Sequence, residues 1–407
     1  MQKDLIHSAF VKINSKVFFL LLFLYQLFFI PQGLELGDAG FNVTLYQQIF
    51  NDPHSVQYGF PFWFTGVVGS AWTHILPSSF GLLGIRLGGV LVIMLSVMLS
   101  YNLLKNYLGH TYLKIGLVLI IVFLGNDPKE LYYNNLSPFL YILATICLFT
   151  GLKENNLFKI FVCGLILSLN TFARLPNILG LSMAIAVFYN GYLQKNSFKK
   201  QIGQIAILFT GFIVTTIAVF FIMKMIGHLD IYINSLKVLM NMTNTGEKSP
   251  YDAAGLLSIY ARTYIECILY STAVVGLILS TIYTINLFYK RVTKPAWLPK
   301  AFVYLVIVLF FIALVMKGKL YFMLYLFTGA SLITAVSILI GKKSDEYKLI
   351  TFISALLLFI FPLGSFQGIL TAGYFSFWLI FPIIIDHLFS IKKIEASLST
   401  FTNTSGY

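Results

Sequence analysis

The feature that most restricts this chain is the recurrence of long apolar runs with almost no charge inside them. Ile202–Ile226 is one; Phe80–Leu104, Tyr264–Tyr289 and Leu320–Ile340 are others. Each is long enough to cross the hydrocarbon core of a bilayer, which takes about 20 helical residues. A spanning structure must satisfy every backbone N–H and C=O internally, so only helices and closed barrels qualify. These runs are continuous rather than alternating, which selects helices. Composition agrees: 58% of the residues are hydrophobic and 11% charged, against about 25% charged in soluble domains. The expected fold is an all-α polytopic membrane protein of about 12 transmembrane helices.

In chain order the expected spans are 17–30, 80–104, 114–125, 136–152, 158–173, 178–193, 202–226, 264–289, 301–316, 320–340, 349–363 and 369–389. Two long polar connections interrupt them, 32–79 and 227–263. No repeat of fixed period is present. One membrane domain, residues 1–394, is expected, followed by a polar tail, 395–407, that reads as disordered and cytoplasmic. The first apolar run lacks a small-residue cleavage site and reads as a retained span. Cys147, Cys163 and Cys267 form no CxxC pair, which points away from a zinc site or a disulfide framework.

A net charge of +13 would suit nucleic acid if it were gathered on a soluble surface. Its distribution argues for a different origin. With both termini in the cytoplasm, 19 of the 28 Lys and Arg fall in inside segments, among them Lys105, Lys153, Lys159, Lys195, Lys199, Lys200, Lys342 and Lys343. That is the positive-inside bias, and no nucleic-acid partner is expected. The exceptions are Arg86, Lys129, Arg174, Lys224, Lys237, Lys248, Arg262, Lys317 and Lys319. Three of the four arginines are among them, each beside an apolar span. Arginine suits bidentate phosphate binding better than generic surface charge.

The first outer connection is the richest in chemistry. It carries Glu35, Asp38, Asp52 and His54, and Arg86 lies where the chain re-enters the membrane. Phe60, Trp63, Phe64, Val67, Val68, Ala71, Trp72 and Ile75 form a helical stripe, with Thr65, Gly66, Gly69, Ser70 and Thr73 opposite. This predicts an interface helix with tryptophans at headgroup depth. Residues 41–50 give a shorter candidate. Asp38 precedes it and reads either as a helix cap or as a general base at a cavity mouth. Asp52 with His54, and His228 with Asp230, supply two ligands each and no third, so no metal is expected. Arg262 and Glu266 stand at i, i+4, which reads as an intrahelical pair or as a donor contact. The 227–263 connection reads equally as a mobile lid or a plain loop.

Four segments in order resemble the GT-C superfamily of membrane glycosyltransferases, the group of the protein O-mannosyltransferases and the aminoarabinose transferases. They are Leu36-Gly37-Asp38-Ala39; Gly59-Phe60-Pro61-Phe62 leading to Arg86-Leu87; Ala173-Arg174-Leu175-Pro176; and Lys317-Gly318-Lys319-Leu320-Tyr321-Phe322. The chain departs from the pattern in having Asp38-Ala39 where an Asp-Glu pair is usual, so a second carboxylate would come from Glu35 or Asp52. What the resemblance implies is sugar transfer, with inversion, from a polyprenyl-phosphate donor to a hydroxyl of a glycan, lipid or protein acceptor. It implies a site on the extracytoplasmic face of a bacterial inner membrane. Asp38 would act as base; Arg86, Arg174, Lys317, Lys319, Arg262 and Asp52 would bind substrate; no cofactor is implied. Two other readings stand beside it. An O-antigen-type polymerase or ligase would concentrate polar residues in a later loop. A transporter or flippase would show repeats and midplane charges.

Overall fold

The structure is a computed structural model of the 407-residue chain. It describes residues 14–31, 38–76, 80–123, 129–243, 253–291, 322–363, 368–369 and 373–390. Every regular element among them is a helix. In order these are α1 (Ser15–Phe28), α2 (Asp38–Gln48), a 3-10 segment (Gln57–Phe62), α3 (Trp63–Ile75), α4 (Gly81–Leu104), α5 (His110–Phe123), α6 (Tyr133–Lys153) and α7 (Leu157–Ala173). A second 3-10 segment (Leu175–Ala184) leads into α8 (Ile185–Gln194), α9 (Phe198–Met225), α10 (Leu229–Thr243), α11 (Ala253–Arg291), α12 (Phe322–Ile340) and α13 (Asp345–Ile360). A third (Gly373–Ser376) precedes α14 (Phe377–Ser390).

Side-chain caps explain several of the starts. Asn156 accepts from the Lys159 N–H, Ser197 from Lys200 and Ser344 from Tyr347. Each satisfies a donor that the first helical turn leaves open. These caps sit in short turns rich in lysine, and the turns meet at one end of the molecule. Lys153 bonds Glu346 at 2.9 Å and the Tyr107 hydroxyl at 3.0 Å. Gln194 reaches Asp345, and Asp386 accepts from the Gly109 N–H at 2.8 Å. Arg86, Arg174 and the first polar connection gather at the opposite end. The alternation expected from lysine placement is therefore present in the packing.

Among the described residues, four helices are long and apolar enough to cross a membrane: Gly81–Leu104, Tyr133–Lys153, Phe198–Met225 and Met323–Ile340. This is fewer than the expected twelve, and the reasons are local. The runs in α1, α5, α7 and α14 form apolar helices too short to meet that length. The run expected over 178–193 is divided, because the chain turns at Arg174 and winds as a 3-10 segment from Leu175 before α8 begins. Pro176 in its first turn has no N–H to give to an α-helical ladder. The run expected over 369–389 is likewise split by the 3-10 segment at 373–376. The expected span 301–316 lies outside the described residues.

The 227–263 connection is also corrected. Its first half forms α10, whose Ile231, Tyr232 and Ser235 are buried, and α11 begins already at Ala253. In the first connection both expected helices form, as α2 and α3. Helix α3 buries its small, polar side, Thr65, Gly66, Gly69 and Ser70, together with Trp63 from the apolar stripe. Ile75 at the end of the apolar stripe is 74% exposed. Small residues let helices approach closely where burial of apolar surface gives no preference over lipid. Phe64, Val67 and Val68 of the stripe are half-buried against the neighbouring cores, and its far end faces outward.

The main core runs through α4, α5, α6, α7, α13 and α14. A second, smaller one lies beneath α2, α3 and α10. Helix α9 is attached by one edge: only 17% of its most apolar stretch is buried. It crosses α7 where Gly164 meets the Leu208 backbone and Gly211 meets the Phe161 backbone. A Cβ at either glycine would overlap the opposing carbonyl. Gly164→Val should therefore lower stability by about 1–3 kcal/mol through overpacking, whereas Gly203→Ala on α9, which has open space around it, should leave it unchanged. Thermal unfolding of the detergent-solubilised variants reads both. Equal effects would place the contact elsewhere.

Candidate functional site

Two arginines at the loop-bearing end are buried, and they are held in opposite ways. Arg86 lies near the start of α4. Its Nε donates to Glu130 Oε1 at 3.0 Å and its NH1 to the Ile30 carbonyl at 2.6 Å. The two side chains of the pair are 5% and 2% exposed. Gly89, one turn further along α4, makes this approach possible, because a Cβ there would overlap the Lys129 carbonyl. The segment 129–130 lies flat on the helix as a result.

Glu130 is fixed from several sides. Its carbonyl accepts from Asn135 Nδ2 at 2.8 Å. The Tyr46 hydroxyl donates to the neighbouring Leu131 carbonyl. Burial pushes the Tyr46 phenol well above its ordinary range, and the Glu130 carboxylate adds to the rise. Lys129 is buried beside it, its ammonium 6.0 Å from the centre of the Phe29 ring. Glu130 Oε2 is buried and accepts no hydrogen bond. Such an atom forfeits a stabilising contact unless a donor arrives.

Arg174 stands at the corner after α7, in extended conformation. Its NH1 donates to the Phe361 carbonyl at 2.9 Å, and the guanidinium lies 5.3 Å from the centre of the Phe361 ring. It is 5% exposed. No carboxylate pairs with it among the described residues. The ionisable groups that act on it are Tyr133 and Tyr141. The corner itself is stapled. Asn177 Nδ2 bonds Ser137 Oγ at 2.8 Å and Asn170 Oδ1 at 2.9 Å, and Thr65 of α3 donates to the Ala173 carbonyl at 2.9 Å. Tyr133 links the two neighbourhoods: it acts electrostatically on both Tyr46 and Arg174, and its ring stacks on Phe62 at 4.4 Å.

The other expected site residues are placed differently. Asp38 is the first residue of α2. Asp52 is exposed in the turn after α2 and stands apart from the arginines. Arg262 faces outward on α11 and pairs with Glu266 at 2.8 Å, as the i, i+4 spacing suggested. Lys317, Lys319 and Glu35 lie outside the described residues. No three His, Cys, Asp or Glu lie close enough together for a metal among the described residues. His228 does not join Asp230: its Nδ1 accepts from the Trp63 indole, and Asp230 is exposed. Sequence reasoning passed over Glu130, treating 126–130 as a helix break. The usable signal was a Lys-Glu pair in a short gap between two apolar runs, the same boundary argument that singled out Asp38.

Arg86→Leu would leave Glu130 charged, buried and unpaired, at a cost of about 3–5 kcal/mol. The double variant Arg86→Leu/Glu130→Leu should lose much less than the single one. Denaturant unfolding in detergent measures both; a double variant as unstable as the sum of the two singles would show that they do not act as a pair. No protein-family model matches the chain, and no curated protein or solved structure is significantly similar to it.

Proposed function

We propose that the protein is an integral membrane glycosyltransferase that moves a sugar from a polyprenyl-phosphate donor to an acceptor hydroxyl. The observation that carries the reading is Arg174. A guanidinium buried at the end of an apolar helix, with a carbonyl and an aromatic ring for company, costs several kcal/mol unless an anion or water compensates. Arg86 is neutralised by Glu130 and Arg262 is spent on Glu266 in solvent. Arg174 is left to meet the charge of a ligand. Guanidinium geometry matches phosphate oxygens, and a lipid phosphate reaches such a depth beside apolar helices.

In this reading the Asp38 carboxylate takes the proton of the acceptor hydroxyl. The freed oxygen attacks the anomeric carbon, the bond from that carbon to the phosphate oxygen breaks, and the lipid phosphate leaves with the electron pair. Arg174 holds the developing negative charge. The second carboxylate role passes from Asp52, which is exposed, to Glu130, whose free Oε2 can accept a hydrogen bond from a substrate hydroxyl. The loop end is extracytoplasmic because the lysine turns mark the opposite end as inside. The twelve-span count belongs to this proposal, with the shorter apolar helices crossing by tilt or in pairs.

Lipid-linked sugars extracted from a strain lacking the gene should show one species accumulating, cleared by the wild-type protein. Asp38→Asn should slow transfer by at least about 100-fold, the lower bound for losing a general base. Arg174→Gln should weaken binding of polyprenyl phosphate in nanodiscs by about tenfold or more, the loss of one charge-assisted contact. No change in any lipid-linked species, or an active Asp38→Asn protein, sinks the proposal.

A further inference from the structure

The two polar connections share an apolar cluster that includes Leu45, Phe60, Trp63, Ile231 and Tyr232, and one polar contact lies within it. Trp63 opens α3, and His228 occupies the corner between α9 and α10. The Trp63 indole Nε1 donates to His228 Nδ1 at 3.1 Å. The imidazole also bonds the backbone at Ile49. It packs against the Phe50 ring at 5.5 Å and the Phe60 ring at 5.4 Å, and it is 2% exposed. An indole N–H can only donate. Nδ1 must therefore carry a lone pair, and Nε2 holds the single ring proton toward Ile49. A neutral imidazole satisfies both contacts. An imidazolium sets one N–H against another.

We propose that this joint is an acid-released latch: protonation of His228 breaks its bond to Trp63 and frees α10 from the segment 49–75. It stands on this contact alone, independently of any reaction at Arg174. The backbone contact at Ile49 favours the imidazolium, burial opposes it more strongly, and no carboxylate faces the ring. Asp52 and His54 beside Phe50, Tyr58 on the 3-10 segment, His74 at the far end of α3, Lys224 on α9, and Asp230 and Lys237 on α10 are all exposed. The phenols of Tyr46 and Tyr232 are raised by burial and stay neutral. None of these groups acts on the ring; burial holds its pKa below the ordinary 6.5. A folded value below the unfolded one leaves the docked state complete above 6.5. The joint then weakens as the pH falls below that value toward the folded pKa.

The test uses the full-length protein in nanodiscs with 15N-labelled tryptophan, which gives one indole signal for each of the four tryptophans. Trp63→Phe identifies the relevant signal. Between about pH 7.5 and about pH 5 that signal should move, with its midpoint below the ordinary histidine value. Amide exchange over 57–75 and 229–243, corrected for its intrinsic pH dependence, should accelerate by up to about tenfold per pH unit across the same window. His228→Asn keeps an acceptor near the Nδ1 position without a titrating proton and should hold both readouts flat. A Trp63 signal unmoved down to about pH 4.5 overturns the latch on the wild-type protein alone. So does an unchanged response in His228→Asn.

Discussion

Charge removed from water governs the loop-bearing end of this protein. An ion taken out of solvent costs several kcal/mol after relaxation, comparable to the whole stability of a domain. The fold answers that cost in three ways. Arg86 receives a carboxylate, a carbonyl and a glycine-cleared surface on which the carboxylate can lie. Arg262 stays in solvent with its partner one turn away. Arg174 receives only a carbonyl oxygen and a ring face. The same residue type is therefore ion-paired in the interior at one position and buried without a carboxylate at another. Spacing along the chain does not distinguish them; the partner does.

The remaining architecture serves to hold that end in place. Helices α6 and α7 form a pair whose polar contacts, Asn170, Asn177 and Ser137, converge on the corner bearing Arg174. Helix α3 is tied to that corner through Thr65 and to the α9–α10 junction through Trp63. One short helix thus connects the corner that bears Arg174 to the histidine joint. At the far end, Asp386 fastens the 105–109 turn to α14 and takes the Tyr347 hydroxyl. The lysine turns are fixed there by ordinary caps and solvent-exposed pairs, each worth little alone.

Much of this was legible in the order of residues. The helical class, the lysine alternation and the presence of α2 and α3 follow from apolar periodicity and charge placement, which are local properties. Arg86 and Arg174 could be singled out because a cation beside an apolar run is expensive anywhere. The identity of each cation's partner could not be read. Glu130 lies 44 residues from Arg86, and its arrival depends on Gly89 clearing a surface on another helix. The face on which α3 packs was not legible, and the helix buries its small, polar side along with part of its apolar stripe. A stripe of large apolar residues marks the buried face only when the surroundings are water. Helix α10 was missed because its polar flank hid the spacing of Ile231, Tyr232 and Ser235.

Helix α9 carries a last implication. Its 28 residues measure about 42 Å end to end, against a hydrocarbon thickness of about 30 Å. It is packed along one side, closest at the Gly164–Gly211 crossing, and exposed on the other. Lys199 and Lys200 sit at its first turn and Lys224 at its last. A rod of that length, packed along one side from Gln204 to Met223 with cations at both tips, is longer than the hydrocarbon layer and fits it by leaning. Its slope then follows the thickness of the surrounding lipid, and its last turn leads directly into His228.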